Sequence, residues 1–109
     1  MNPSNIPFQL TDWNIISATE HEGITGSAFW KTLQFGDLRI RMVEYSKDYC
    51  ADHWCSKGHF ILVLEGSLII EHKDNSVLFL KKDMSYFVGD NSMEHLAKTT
   101  EGAKVLIVD

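Results

Sequence analysis

The feature that most constrains what this chain can fold into is a two-residue alternation of side-chain character running from Ser27 to Val108, interrupted at short intervals by Gly, Asp, Asn and Ser. Successive side chains of an extended chain point to opposite faces, so short runs of apolar, β-branched and aromatic residues bounded by turn formers read as strands. No apolar stripe of helical period competes with them. One strand is expected over Ser27–Phe35, with Phe29, Leu33 and Phe35 on one parity and Trp30 on the other, ending at Gly36-Asp37. The next, Leu38–Tyr45, carries Leu38, Ile40 and Met42 on one face and Arg39 and Arg41 on the other, which reads as a hairpin whose wet outer face holds an exposed arginine ladder, with the holding of an anionic substrate as the lesser alternative for the two arginines. Residues 60–64 are apolar on both parities, so both faces are expected to be covered, by a second sheet on one side and another element or subunit on the other. Glu65-Gly66 reads as a turn into 67–72, and Lys73-Asp74-Asn75-Ser76 as a tight turn into 77–80. After a break at Lys82-Asp83 comes 86–88, and 94–100 is expected to pair across Glu101-Gly102 with Ala103–Val108. About eight or nine strands at this spacing imply an all-β sandwich or small barrel. The polar stretch 17–26 reads as a surface loop or an irregular edge.

A chain of 109 residues, 44% of them hydrophobic, fits one domain over residues 1–109 with a core that needs no disulfide staples. Ten Lys+Arg against fifteen Asp+Glu give a net charge of −5 with no basic cluster, which argues against nucleic acid and anionic membrane as partners. The stretch Met1 to Pro7 has neither a basic nor an apolar leader pattern, and no run approaches the roughly 18 apolar residues of a membrane span, so the expected location is cytoplasmic. Cys50 and Cys55 fall on opposite faces of an extended segment and are expected to be free thiols.

Chemistry concentrates in Asp52-His53-Trp54-Cys55-Ser56-Lys57-Gly58-His59. In an extended chain His53 and Cys55 share a face, and His59 has the same parity after a short stretch able to bend. His95 opens a later strand that antiparallel pairing can bring opposite the first three. His53, Cys55, His59 and His95 would offer three imidazoles and a thiolate, a set suited to a divalent transition metal and unsuited to calcium or magnesium. The soft thiolate favours zinc, with iron, nickel or manganese as alternatives.

These residues resemble the first signature of the cupins, in which a His, one residue, a second His, a short gap, a Glu and a distant Gly follow in order. His53 matches the first His and Gly66 the closing Gly, while Cys55 stands in the place of the second His and His59 in that of the Glu. In the second signature His95 fits the His, and Asp90 and Ser92 fall where Pro and Gly are usual. Over nearly the whole length the chain resembles the DHCW-motif cupin-fold proteins, through Ile6-Pro7-Phe8, Thr11-Asp12-Trp13, Leu38-Arg39-Ile40-Arg41, Asp52-His53-Trp54-Cys55, Lys57-Gly58-His59, Leu64-Glu65-Gly66 and Leu106-Ile107-Val108-Asp109. The resemblance implies a double-stranded β-helix, or jelly-roll, barrel with a metal in its mouth. It leaves the reaction open, because cupins include dioxygenases, isomerases, epimerases, storage proteins and regulators.

The expected function is a metal-binding cupin that binds or transforms a small molecule. The competing readings are a sensing module with Cys55 as reactive thiolate, and a barrel in which these residues only pack. Glu44 is a candidate cavity base or a solvated strand end, Asp52 a residue that orients a ligand or satisfies a turn, and Tyr45 and Tyr86 candidate pocket liners. His21 and His72 read as exposed, Trp54 as packing and Cys50 as a bystander. The two-faced apolar segment 60–64 predicts a homodimer.

Overall fold

A computed structural model describes residues 6–109; Met1 to Asn5, the beginning of the stretch read as lacking a leader, lie outside the described residues. After a single 3-10 turn at Trp13–Ile15, capped by the Asp12 carboxylate accepting from the Asn14 N–H at 3.0 Å, eight strands follow among the described residues. They are β1 (Thr19–Glu22), β2 (Ser27–Phe35), β3 (Leu38–Tyr45), β4 (His59–His72), β5 (Val77–Lys81), β6 (Ser85–Val88), β7 (His95–Lys98) and β8 (Ala103–Val108). All pairings are antiparallel. One sheet runs β1-β2-β3-β8-β4-β6, and the second is formed by β7 and β5 on either side of the far half of β4. The core between them is built from Val43, Val63, Leu68, Ile70 and Val105, all fully buried, with Ile61, Ile107 and Tyr45 around them. No helix is long and apolar enough to cross a membrane among the described residues.

The continuous strand β4 holds the architecture together. Its first half, through Gly66, pairs with β8 and β6, and its second half, from Ser67, pairs with β5 and β7. The turn expected at Glu65-Gly66 is therefore a bulge at a corner. The register slips between Val63 and Glu65, Gly66 takes a φ of 74°, and the Ser67 N–H still donates to the Gly102 carbonyl at 3.3 Å. The chain bends without reversing because its ladder bonds continue on both sides of the kink, and a Glu-Gly dipeptide serves a bulge as well as it serves a turn.

The hairpin expected between 94–100 and 103–108 is also replaced by a crossing. β7 belongs to the second sheet and β8 to the first, and the intervening Thr99, 3% exposed, donates to the Ser67 carbonyl at 2.7 Å and accepts from the Gly102 N–H at 3.1 Å. The stretch 17–26 becomes in part the edge strand β1, exposed throughout and carrying Glu20, His21 and Glu22, a composition that discourages further pairing.

The third correction bears on the site. β3 turns Arg41, Val43 and Tyr45 inward, while Ile40 and Met42 are half-buried and Glu44 exposed on the outer face, the reverse of the expected arrangement. Alternation fixes which residues share a face but not which face meets the core. Val43 and Tyr45 need burial, and Arg41 can follow them because a carboxylate waits inside.

The corner supplies a test. A Cβ at Gly66 would overlap the Gly102 carbonyl oxygen, and its φ of 74° is costly for any other residue. Gly66→Ala is expected to cost about 2 kcal/mol or more, lowering the Tm by roughly 10 °C. Thermal denaturation followed by circular dichroism would show it; an unchanged Tm would mean that the strand does not bend there.

Candidate metal centre

Two local devices bring the donor residues together. Cys55 and His95 form an isolated antiparallel bridge, exchanging both backbone bonds at 2.8 and 3.0 Å, so their side chains leave the pair on the same side. The loop before β4 is stitched to the loop before β7: the Gly58 N–H donates to Asp90 Oδ1 at 2.6 Å, and the Asn91 N–H donates to the Ser56 carbonyl at 2.8 Å. A Cβ at Gly58 would lie 2.6 Å from the Asp90 nitrogen, so glycine permits that close approach. His59 then opens β4 on the inward parity of Ile61 and Val63. The result places one donor atom each of Cys55, His59 and His95 within 4.8 Å of one another.

The protons of this group can be assigned. His95 Nδ1 lies 3.0 Å from the Met93 carbonyl, which only accepts, so Nδ1 carries the hydrogen and Nε2 of the neutral ring is a lone pair. His59 Nε2, 2.8 Å away, must then donate to it. That leaves His59 Nδ1 buried without a hydrogen-bond partner among the described residues, 3.8 Å from Asp109 Oδ2. A metal fits this arrangement. With both Nε2 lone pairs directed at an ion, the His59 proton sits on Nδ1 facing the Asp109 carboxylate, the orientation a ligating imidazole ordinarily takes. Burial, then the neighbouring His95, pulls the His59 pKa down to about 4, so the ring stays neutral and able to ligate well below neutral pH.

Asp109, which follows β8, is the hub of a second layer. Its carboxylate, with the side chain 1% exposed, accepts from Arg39 Nε at 2.9 Å and Nη2 at 3.0 Å, a bidentate pair, and from Arg41 Nη2 at 3.1 Å. Burial alone would raise its pKa; the hydrogen bond from Arg39 and the charges of Arg41, Arg39 and His59 outweigh that and hold it below the ordinary value. The Arg41 guanidinium lies 4.4 Å from the centre of the Trp30 ring. These groups and the three donors line one cavity of about 200 Å³, together with Tyr45, Ile61 and Ile107.

The other candidate residues fall as follows. His53 lines the mouth of the same cavity but stands outside the three-donor group; its side chain is 77% exposed, with Nδ1 2.7 Å from Asp52 Oδ1. A bend at Asp52-His53 interrupts the extended chain, so the parity linking His53 to Cys55 does not carry through. Tyr45 is buried and lines the cavity; Glu44 points away from it and is exposed. Tyr86, 8% exposed, packs 6.0 Å from His95 and pairs its hydroxyl with His72 Nε2 at 2.7 Å, so His72 is half-buried and engaged, contrary to the expectation that it is exposed and silent. His21, as expected, is exposed, and stacks on Trp30 at 3.8 Å. Trp54 is 37% exposed beneath the Lys73 ammonium, and both cysteines are free thiols. Arg39 and Arg41, expected in the first place as an exposed ladder, line the cavity instead, and Asp109 is a lining residue the sequence does not single out. Only the pairing of β3 with β8, which exchanges Arg39 and Asp109 backbone bonds at 2.7 and 2.9 Å, reveals them.

No protein-family model matches the sequence, and no curated protein does. Solved structures do. An RmlC-like cupin from Shewanella frigidimarina superposes with a TM-score of 0.72 at 18% identity, over 94% of this chain and 89% of that one. The chain has the cupin fold. The EutQ protein of Clostridium difficile gives a TM-score of 0.65 at 17% identity over 76% of this chain and 67% of its own. HppE, solved with Fe(II) and the alternative substrate (S)-1-HPP, gives 0.76 at 17% identity over 94% of this chain, which spans 60% of the HppE chain. On the cupin barrel described here, Cys55, His59 and His95 form a possible site for a divalent metal.

Two outcomes follow for the metal-free protein. Because the His59 pKa is depressed from 6.5 to about 4, the unfolded chain binds more protons between those values, so stability is full above pH 6.5 and is lost as pH falls towards 4. His59→Gln should flatten that part of a Tm-against-pH curve; an identical slope would show that His59 does not cause it. Asp109→Asn leaves two guanidiniums with no carboxylate between them and is expected to cost about 3 kcal/mol, read from urea denaturation.

Proposed function

We propose that this chain is a metal-binding cupin that holds one divalent transition metal, zinc, through Cys55 Sγ and the Nε2 atoms of His59 and His95, and presents it to a small molecule in the cavity. The observation that carries this reading is the convergence of three borderline-to-soft donors within 4.8 Å at the wall of a cavity of about 200 Å³. A tetrahedral zinc with Zn–N bonds of about 2.0–2.1 Å sets imidazole nitrogens roughly 3.3 Å apart, so the two rings need to open only slightly from their 2.8 Å contact. Three protein ligands leave one position for water or substrate, as in catalytic zinc sites. Bound there, the metal would polarise an oxygen of the small molecule as a Lewis acid. The chain's own residues would supply the rest: Asp109 orients His59, Arg39 and Arg41 hold Asp109, and Trp30, Ile61 and Ile107 exclude water.

Zinc is favoured over iron because a thiolate ligand binds it tightly and zinc has no redox cycle to oxidise Cys55. A cytoplasmic location accords with two unpaired cysteines. The same half-buried Cys55 at the cavity wall also supports a second reading, a module that senses a metal or an oxidant through this thiolate. A homodimer is supported by the outer face of the larger sheet. Phe60, Leu62 and Leu106 are only half-buried there, Phe87 is 74% exposed, and Phe8 and Leu10 on the N-terminal arm are fully exposed.

Elemental analysis of untagged protein is expected to give about one zinc per chain, lost in Cys55→Ser and in His95→Ala and kept in His53→Ala, with Asp109→Asn weakening zinc affinity roughly 10–100-fold. Iron, nickel or manganese surviving the loss of Cys55 would overturn the zinc assignment. No metal, even after reconstitution, would remove the metal reading altogether. In sedimentation the protein should run as a dimer at micromolar concentration and Leu62→Glu as a monomer; a monomeric parent would sink the dimer.

A further inference from the structure

The cavity has a second wall whose charge the proposed metal site leaves unexplained. Arg41 is 5% exposed, yet among the described residues its Nε has no hydrogen-bond partner, while its Nη2 donates to Asp109. One face of the guanidinium is stacked over Trp30, so a further polar partner must approach along its edge. The charges lining the cavity are Arg39, Arg41, Lys57 and Asp109, with Lys57 exposed at the rim. Inside the rim two guanidiniums therefore face a single carboxylate, in a chain whose net charge is −5. Arg39 spends its fork on Asp109, which leaves Arg41 as the under-engaged cation. Keeping a buried guanidinium short of acceptors is costly, and such a deficit suits an anionic ligand that completes it.

We propose that this cavity binds a short monocarboxylate, its carboxylate paired with the Nε–H edge of Arg41 and its other end facing Cys55, His59 and His95. The protein's own inner charges, two guanidiniums against one carboxylate, call for one negative charge before any metal is counted, and a planar guanidinium edge matches a planar carboxylate. A volume of about 200 Å³ lies below the roughly 300–1,000 Å³ of pockets for drug-sized ligands, which sets the acid's length. Arg41 Nη2 and His59 Nδ1 approach the same oxygen of Asp109, at 3.1 and 3.8 Å, so an acid anchored on Arg41 lies beside the donor group without a long chain. Trp30, Tyr45, Ile61 and Ile107 offer its carbon atoms an apolar wall. The proposal rests on the metal reading only for what the far end of the acid meets; the anchor at Arg41 is independent of it.

Calorimetric titration with pyruvate, its uncharged methyl ester and inorganic phosphate tests this, on zinc-loaded and on chelator-stripped protein. Pyruvate is expected to bind at least tenfold more tightly than the ester and than phosphate. Arg41→Lys keeps the charge opposite Asp109 and removes the Nε–H edge, and should erase the preference for the acid over the ester. Arg41→Gln should do the same where circular dichroism shows that it folds. An ester that binds as well as the acid, phosphate that binds more tightly, or a folded Arg41→Lys with unchanged pyruvate affinity would overturn the proposal. The two readings fail separately. Zinc uptake without pyruvate binding removes the acid and leaves the metal, whereas pyruvate binding without zinc uptake, in the parent as in Cys55→Ser, removes the metal and leaves the acid.

Discussion

The Asp109 carboxylate is the interaction on which the rest of the site depends. Two arginines facing the interior of so small a barrel would be intolerable alone, and a buried carboxylate equally so; together they form a network in which each group satisfies part of the others' demand. The network crosses three adjacent strands, since Arg39 lies on β3, Asp109 continues β8 and His59 opens β4. It therefore ties together the end of the sheet where those strands meet and sets a carboxylate beside one candidate metal donor. Stability and chemistry are joined at one oxygen, Asp109 Oδ2, which accepts from Arg41 and faces His59 Nδ1.

The corner in β4 makes that arrangement possible. Because one strand serves both sheets, its first residue, His59, stands at the mouth of the larger sheet, while its last, His72, pairs across the smaller sheet with His95. Bending at Gly66 closes the sheets over each other, and His59 and His95, far apart along the ladder, come ring to ring at 4.7 Å between centroids. Cys55 needs no strand of its own, because a single bridge to His95 delivers it. Three donors from a strand, a neighbouring strand and a tethered loop thus meet on one side of a rigid core.

Much of this was legible in the alternation of the sequence, which marks most of the strands and places Cys55, His59 and His95 among its candidates. What was not legible divides by cause. Parity is symmetric, so Arg39 and Arg41 look solvent-facing until β8 is laid beside β3 and Asp109 arrives next to them. Glu65-Gly66 has the composition of a turn, and only the continuing ladder on either side distinguishes a bulge. Thr99 to Gly102 has the length of a hairpin loop, but the strands it joins pair with different halves of β4, β7 with the far half and β8 with the near one, and not with each other. His53 departs from the parity of Cys55 because a bend at Asp52-His53 lies between them, where side-chain direction no longer alternates.

The departures from the usual cupin donor pattern gain a physical sense from the charge around them. A Glu in the place of His59 would set a second carboxylate beside Asp109, and the repulsion would compete with Arg39 and Arg41 for its relief. An imidazole there instead turns its distal nitrogen towards the same carboxylate, 3.8 Å away, without adding a second negative charge. With His59 neutral, the only negative donor is the Cys55 thiolate when it ligates, so a divalent ion would retain one positive charge in the cavity, next to the unspent edge of Arg41. A site of that sign attracts anions, and in a chain of net charge −5 it is a local inversion of the protein's own field. The cysteine, the histidine in the glutamate position and the inward arginines are thus parts of one electrostatic arrangement centred on the buried Asp109 carboxylate.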